Sequence, residues 1–167
     1  MHNTLQILPS TLDRERYLYE IRNRHKWLLF FGGERVILYK RKWTGKRCPN
    51  WDRVRLQHSQ LELCPICYGT GYVGGYMKPL EIFVGLPSPT TQQIVIETGP
   101  GMKNVYRPTW WSLWEPPLNN KDFIERYNGQ RYWIVNKSET RWKRFVLRQI
   151  FDTDLVEATN IIYQIPY

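Results

Sequence analysis

Three cysteines, one histidine and a run of glycines are the residues of this chain whose types and spacing could do chemistry. They fall in one stretch: Cys48-Pro49-Asn50-Trp51-Asp52, then His58, then Cys64-Pro65-Ile66-Cys67-Tyr68-Gly69-Thr70-Gly71 and Gly74-Gly75-Tyr76. A Cys-x-x-Cys turn lets two thiolates reach one tetrahedral ion, the geometry of small structural zinc sites. Glycines at alternate positions behind it turn the backbone tightly and aim N–H groups at the sulfurs, which spreads the thiolate charge. A four-cysteine site would carry a second cysteine near Asn50 or Trp51, and here Trp51 follows. The expected ligands are therefore Cys48, Cys64 and Cys67, with His58 or Asp52 as the fourth or with that corner missing. One other reading remains open, buried thiols that only pack or a metal site since lost, while a redox pair fails on local structure. Redox chemistry wants the first cysteine at a helix N-terminus, and Tyr-Gly-Thr-Gly-Tyr-Val-Gly-Gly does not start a helix.

The elements that must position this stretch follow from length, charge and periodicity. A chain of 167 residues makes one domain and can bury a core. Eight Trp and eleven Tyr put much of that core, or of an interface, in aromatic rings. Three clustered cysteines are not a secreted disulfide framework. No apolar run is long enough for a membrane span and the first residues are no signal peptide, so the expectation is a soluble protein made in the cytoplasm, with no membrane partner. The net charge of +9 lies almost wholly ahead of the second cysteine pair, with 13 Lys/Arg against 5 Asp/Glu in residues 1–55 and 11 against 10 thereafter. Solvated faces explain that excess as well as a surface set against DNA or an acidic partner would. Lys40, Arg41, Lys42, Lys46 and Arg47 are the candidates for such a surface.

Ser10 reads as the N-cap of a helix over 10–31, with Tyr17, Leu18, Ile21, His25, Leu28 and Leu29 on one face and Gly32-Gly33 at its end. A strand begins at Val36. A cysteine-rich insertion is expected over 44–78 and a β-rich body over 80–167. In that body Leu80–Val84 and Gln93–Glu97 read as strands, Asn128-Gly129 as a hairpin turn, and the alternation of Ile161, Tyr163 and Ile165 as a last strand. Thr109-Trp110-Trp111-Ser112-Leu113-Trp114 reads as an extended aromatic segment, packed in the core or offered to a neighbour.

Arg47-Cys48-Pro49, Cys64-Pro65-Ile66-Cys67-Tyr68-Gly69-Thr70-Gly71 and Gly74-Gly75-Tyr76 resemble a cysteine signature of tailed-bacteriophage neck, or head-to-tail connector, proteins. Asp122-Phe123-Ile124, Asn128-Gly129-Gln130-Arg131-Tyr132, Leu147-Arg148-Gln149 and the end at Ile162-Tyr163-Gln164-Ile165-Pro166 support that resemblance. It implies a mainly β fold, a small barrel or sandwich with an N-terminal helix and a zinc-knuckle-like insertion. It also implies a virion structural protein rather than an enzyme: a homo-oligomeric ring between portal or adaptor and tail proteins, continuing the DNA channel and helping to retain the genome. Trp110, Trp111 and Trp114 are then expected at the ring interface, and a zinc ion would staple the insertion. The alternative is a zinc-stabilised nucleic-acid-binding module. A chaperone-like reading is weaker, because Cys64-x-x-Cys67-x-Gly69-x-Gly71 resembles one zinc repeat of the DnaJ cysteine-rich domain, which carries four. No Gly-x-Ser-x-Gly, phosphate loop or His-Glu-x-x-His motif points to an enzyme.

Overall fold

The computed structural model describes residues 11–52, 57–58, 64–85, 93–98 and 101–165. A helix, α1 (Thr11–Gly32), runs without a loop into strand β1 (Gly33–Tyr39). The join leaves no room for a side chain: a Cβ on Gly33 would lie 2.5 Å from the Leu29 carbonyl oxygen and 2.9 Å from that of Val84. Ser10, the expected cap, lies outside the described residues.

Two short strands, β2 (Trp51–Asp52) and β3 (Gln57–His58), pair within the cysteine stretch. The chain then forms β4 (Leu80–Gly85), β5 (Gln93–Thr98), β6 (Gly101–Tyr106), β7 (Thr109–Leu113), β8 (Phe123–Glu125), β9 (Arg131–Trp142) and β10 (Phe145–Leu155). Six of these close into an antiparallel barrel in the order β1-β4-β7-β10-β9-β8, while β5 and β6 form a separate two-stranded ribbon. Closure runs through β1 and β8, where Leu38 faces Ile124 and Tyr39 faces Phe123. The fold is thus mainly β, a barrel with one N-terminal helix and a cysteine cluster in an insertion. Because β1 precedes that insertion, the β-rich body starts at Gly33 and not at Leu80.

Alternation along the strands fills the barrel with Val36, Leu38, Ile82, Val84, Trp110, Ile124, Ile134 and Phe151, with Leu118 plugging it. A second core at one end joins Tyr39, Tyr76, Phe123, Val156, Ile161, Ile162 and Ile165. The hairpin at Asn128-Gly129 forms as expected, with Gly129 at φ 78°. The final segment differs: Ile161–Gln164 is a 3-10 helix, not a strand. Asn160 caps it, its side chain accepting a hydrogen bond from the Ile162 N–H at 3.1 Å. Ile161 and Ile162 of this helix are buried, as is Ile165, its C-cap.

Helix α1 lies on the outside of the barrel against β4, β7 and β10. Only Leu18 and Leu29 of its expected stripe are buried; Ile21 and His25 are half-buried, and Tyr17 and Leu28 are exposed. One helix laid on a convex barrel touches it along a narrow line, so the apolar stripe is wider than its seat.

Candidate metal centre

The second cysteine turn is built by its own backbone. The Tyr68 N–H donates to the Cys64 carbonyl and the Thr70 N–H to that of Cys67, each at 2.9 Å. Gly75 closes over the turn so tightly that a Cβ there would lie 2.7 Å from the Cys67 carbonyl oxygen, at φ 60°. Cys48 is brought in from the other arm, its N–H donating to the Gly71 carbonyl at 2.9 Å. The result is a buried three-sulfur cluster in which all three sulfurs lie within 4.8 Å of one another. Cys48 Sγ and Cys64 Sγ are 3.6 Å apart. That is far too long for a disulfide, and close to the ~3.8 Å edge of a tetrahedron of sulfurs each ~2.3 Å from zinc. Three such thiols could hold one thiophilic ion.

The local field already separates the sulfurs. Burial pushes the Cys64 thiol up, but N–H groups of Ile66 and Cys67 and the neighbouring thiols outweigh it and bring the group down to about 6. Burial dominates at Cys48 and pushes it up to about 11, against the Asn50 N–H. The backbone N–H groups behind the turn thus favour the thiolate form at Cys64, the form that binds a cation.

Of the expected ligands the structure assembles Cys48, Cys64 and Cys67. Asp52 is not part of the cluster among the described residues. His58 sits on β3 with its Cα opposite Trp51, and its side chain lies outside the described residues.

Two of the cations that were candidates for a DNA-facing surface, Arg41 and Lys42, tie the insertion to the chain leaving β1, and a third, Arg47, packs within the insertion. Arg41 donates through Nη2 to the carbonyls of Gly69 and Thr70 at 3.3 and 3.4 Å. Lys42 Nζ donates to the Val73 carbonyl at 3.0 Å. The Arg47 guanidinium stands over the rings of Trp51 and Tyr72 at 4.5 and 4.4 Å. These three serve the insertion; Lys40 is half-buried and Lys46 is exposed.

The tryptophans expected at an interface also have other work. Trp110 is 1% exposed in the barrel core, its indole N–H donating to Thr153 Oγ1 at 2.9 Å. It offers a neighbour nothing, because the alternation of β7 turns it inward. Trp111 and Trp114 are half-buried under α1, against His25 (ring centroids 5.9 Å apart) and below Arg22 (4.5 Å). The exposed aromatic surface is elsewhere. Trp27, Leu28, Phe30 and Phe31 at the end of α1 are 53, 61, 59 and 78% exposed. Trp27 stacks on Phe31 at 5.6 Å, and Phe30 reaches Phe83 of β4 at 6.0 Å. The signal was in the sequence: in the run Trp27-Leu28-Leu29-Phe30-Phe31 one helix face cannot cover five consecutive apolar residues.

No protein-family model matches the chain, and no curated protein matches it.

Proposed function

We propose that this protein is a structural subunit of the neck of a tailed bacteriophage. It forms a homo-oligomeric ring between portal and tail, continues the DNA channel and helps retain the genome. The observation that carries the reading is the exposed aromatic face of α1. Trp27, Phe30, Phe31 and Phe83 touch one another as a contiguous patch at the surface, and such a patch marks a protein contact. Closure of the barrel adds a constraint. The six barrel strands close on one another, so strand addition at the barrel itself is disfavoured and its subunit contacts would run through side-chain surfaces such as this patch. A ring needs two different faces per subunit, meeting heterologously; the α1 patch supplies one. A structural zinc held by Cys48, Cys64 and Cys67 would fix the insertion, which has little apolar core of its own.

Imaging purified virions with an antibody to this chain tests the assignment. Label is expected at the junction of head and tail. Absence of the protein from virions, with infectious tailed particles formed in its absence, refutes it. Isolated subunits should bind duplex DNA weakly, without sequence preference and with steep salt dependence. Tight, selective binding at physiological salt would instead favour the nucleic-acid-binding module.

A further inference from the structure

The three sulfurs leave one corner of a tetrahedron, and among the described residues the Asn50 side chain reaches them. Asn50 Nδ2 lies 3.5 Å from Cys64 Sγ. The Asn50 backbone N–H is turned toward Cys48, and the next N–H, of Trp51, donates to the Cys48 carbonyl at 3.0 Å. The first cysteine arm therefore curls around its own sulfur and brings residue 50 back to the cluster. Trp51 is taken elsewhere. Its ring lies beneath Arg47 and over Gly71, where a Cβ would meet it at 3.4 Å.

We infer that Asn50 is the fourth corner of the metal centre, its carboxamide oxygen completing a set with the thiolates of Cys48, Cys64 and Cys67. The inference rests on the metal reading of the cysteine cluster. A carboxamide carries a donor and an acceptor end that exchange places by a half-turn about its last torsion. Without a cation, the NH2 end donates to the Cys64 sulfur. With a cation among the sulfurs, the half-turn presents oxygen. Three thiolates and a neutral oxygen leave a zinc centre with one net negative charge, where four thiolates would leave two. The corner is also the wet one, because Asn50 is exposed while the three cysteines are buried. The site is thus expected to take a thiophilic divalent cation and to exchange it more readily than a closed four-sulfur site.

Cobalt(II) titration of the reduced, metal-free full chain tests this, with circular dichroism confirming that each variant is folded. The wild type should bind one cobalt per chain with the visible bands of a tetrahedral ion. Asn50→Ala should weaken binding ~10-fold or more, as water replaces the amide. Asn50→Cys should tighten it and raise the sulfur-to-cobalt charge-transfer absorbance by about one third, four thiolates for three. His58→Ala should change neither affinity nor spectrum. Loss of the tetrahedral bands in His58→Ala with full binding by Asn50→Ala overturns the inference and leaves the site standing. So does binding by Asn50→Cys alone, which would show the corner placed but the amide unable to ligate. No cobalt in the wild type or in Asn50→Cys overturns the metal reading itself, and the inference with it.

Discussion

Replacing Phe31 by Ala separates an assembly surface from a folding core. Phe31 is 78% exposed, so folding removes only about a fifth of its surface from water. Full burial of such a side chain is worth about 1.5–3 kcal/mol, which leaves roughly 0.3–0.6 kcal/mol at stake in the free subunit. For a chain of this size that is a fall in melting temperature of about 1–2 °C. If the patch is a subunit contact, the same truncation removes an aromatic anchor, and anchors cost about 2 kcal/mol or more per interface, some 30-fold in affinity. Trp110→Ala is the opposite case: Trp110 is fully enclosed and hydrogen-bonded to Thr153, and its loss should cost about 3–5 kcal/mol in the subunit itself. Calorimetry on the purified subunit and sedimentation of assembled rings read the two effects apart. Unfolding of the subunit by Phe31→Ala, or assembly of the variant with wild-type affinity into particles that keep their tails, would rule out an assembly surface at Phe31.

Arg131→Met should cost about 3–5 kcal/mol in a urea melt, because it strands Glu125 in a pair whose side chains are both 3% exposed; adding Glu125→Leu should restore most of the loss. Burial, then the Arg148 charge, holds His25 below its usual value against a raising contribution from the Leu147 backbone. The unfolded chain then binds a proton near pH 6.5 that the folded chain refuses. Stability should fall as pH drops through that region, and His25→Gln should flatten the fall in pH-dependent denaturation. Elemental analysis of protein purified without chelator should find about one zinc per chain, and Cys64→Ser should abolish it. Stripping the metal should speed hydrogen exchange over 64–77 and also over 161–165, while β10 stays protected; exchange confined to the insertion would contradict the packing described above.

The parts of this fold visible in the sequence are those in which local chemistry and tertiary structure agree. Cys64-Pro-Ile-Cys67 with its glycines specifies its own turn, and Asn128-Gly129 specifies its hairpin wherever the strands go. The run Ile161, Tyr163, Ile165 misleads because five residues are too few to tell alternation from a single helical turn, and the side chains buried are Ile161, Ile162 and Ile165; the Asn160 cap was the discriminating residue. Trp110 and Phe31 are alike as residue types and opposite in burial, since sequence records hydrophobicity but not which surface another element covers. Arg131 could not be foreseen. Its charge is buried because Glu125 lies across the hairpin and the carbonyls of Ile162 and Ile165 point back at it, partners that exist only once the C-terminal segment has folded over the barrel end.

That barrel end ties the cysteine insertion to the rest of the molecule. Tyr76 leaves the insertion and sets its ring edge-on against Phe123 at 4.9 Å, while Tyr39 of β1 stacks on the same ring at 4.5 Å. Phe123 in turn belongs to the core that receives Ile161, Ile162 and Ile165. Two backbone bonds clamp the insertion's exit strand to β1's extension, Lys42 N–H to Gly75 and Met77 N–H to Lys40, at 3.0 and 2.8 Å. Asp122, whose carboxyl burial holds above the usual range, accepts the Arg41 N–H at 2.8 Å and the Asn119 N–H at 2.8 Å. A cluster of sulfurs that keeps Cys48 beside Cys64 and Cys67 thus also fixes where Tyr76 stands, and through Phe123 whether the 3-10 helix has a surface to pack on. The main barrel core of Val36, Val84, Trp110 and Phe151 shares none of these residues. Metal at the cysteines therefore bears on one end of the barrel and not on its middle. If the chain assembles into the proposed ring, that is the end whose shape depends on the ion.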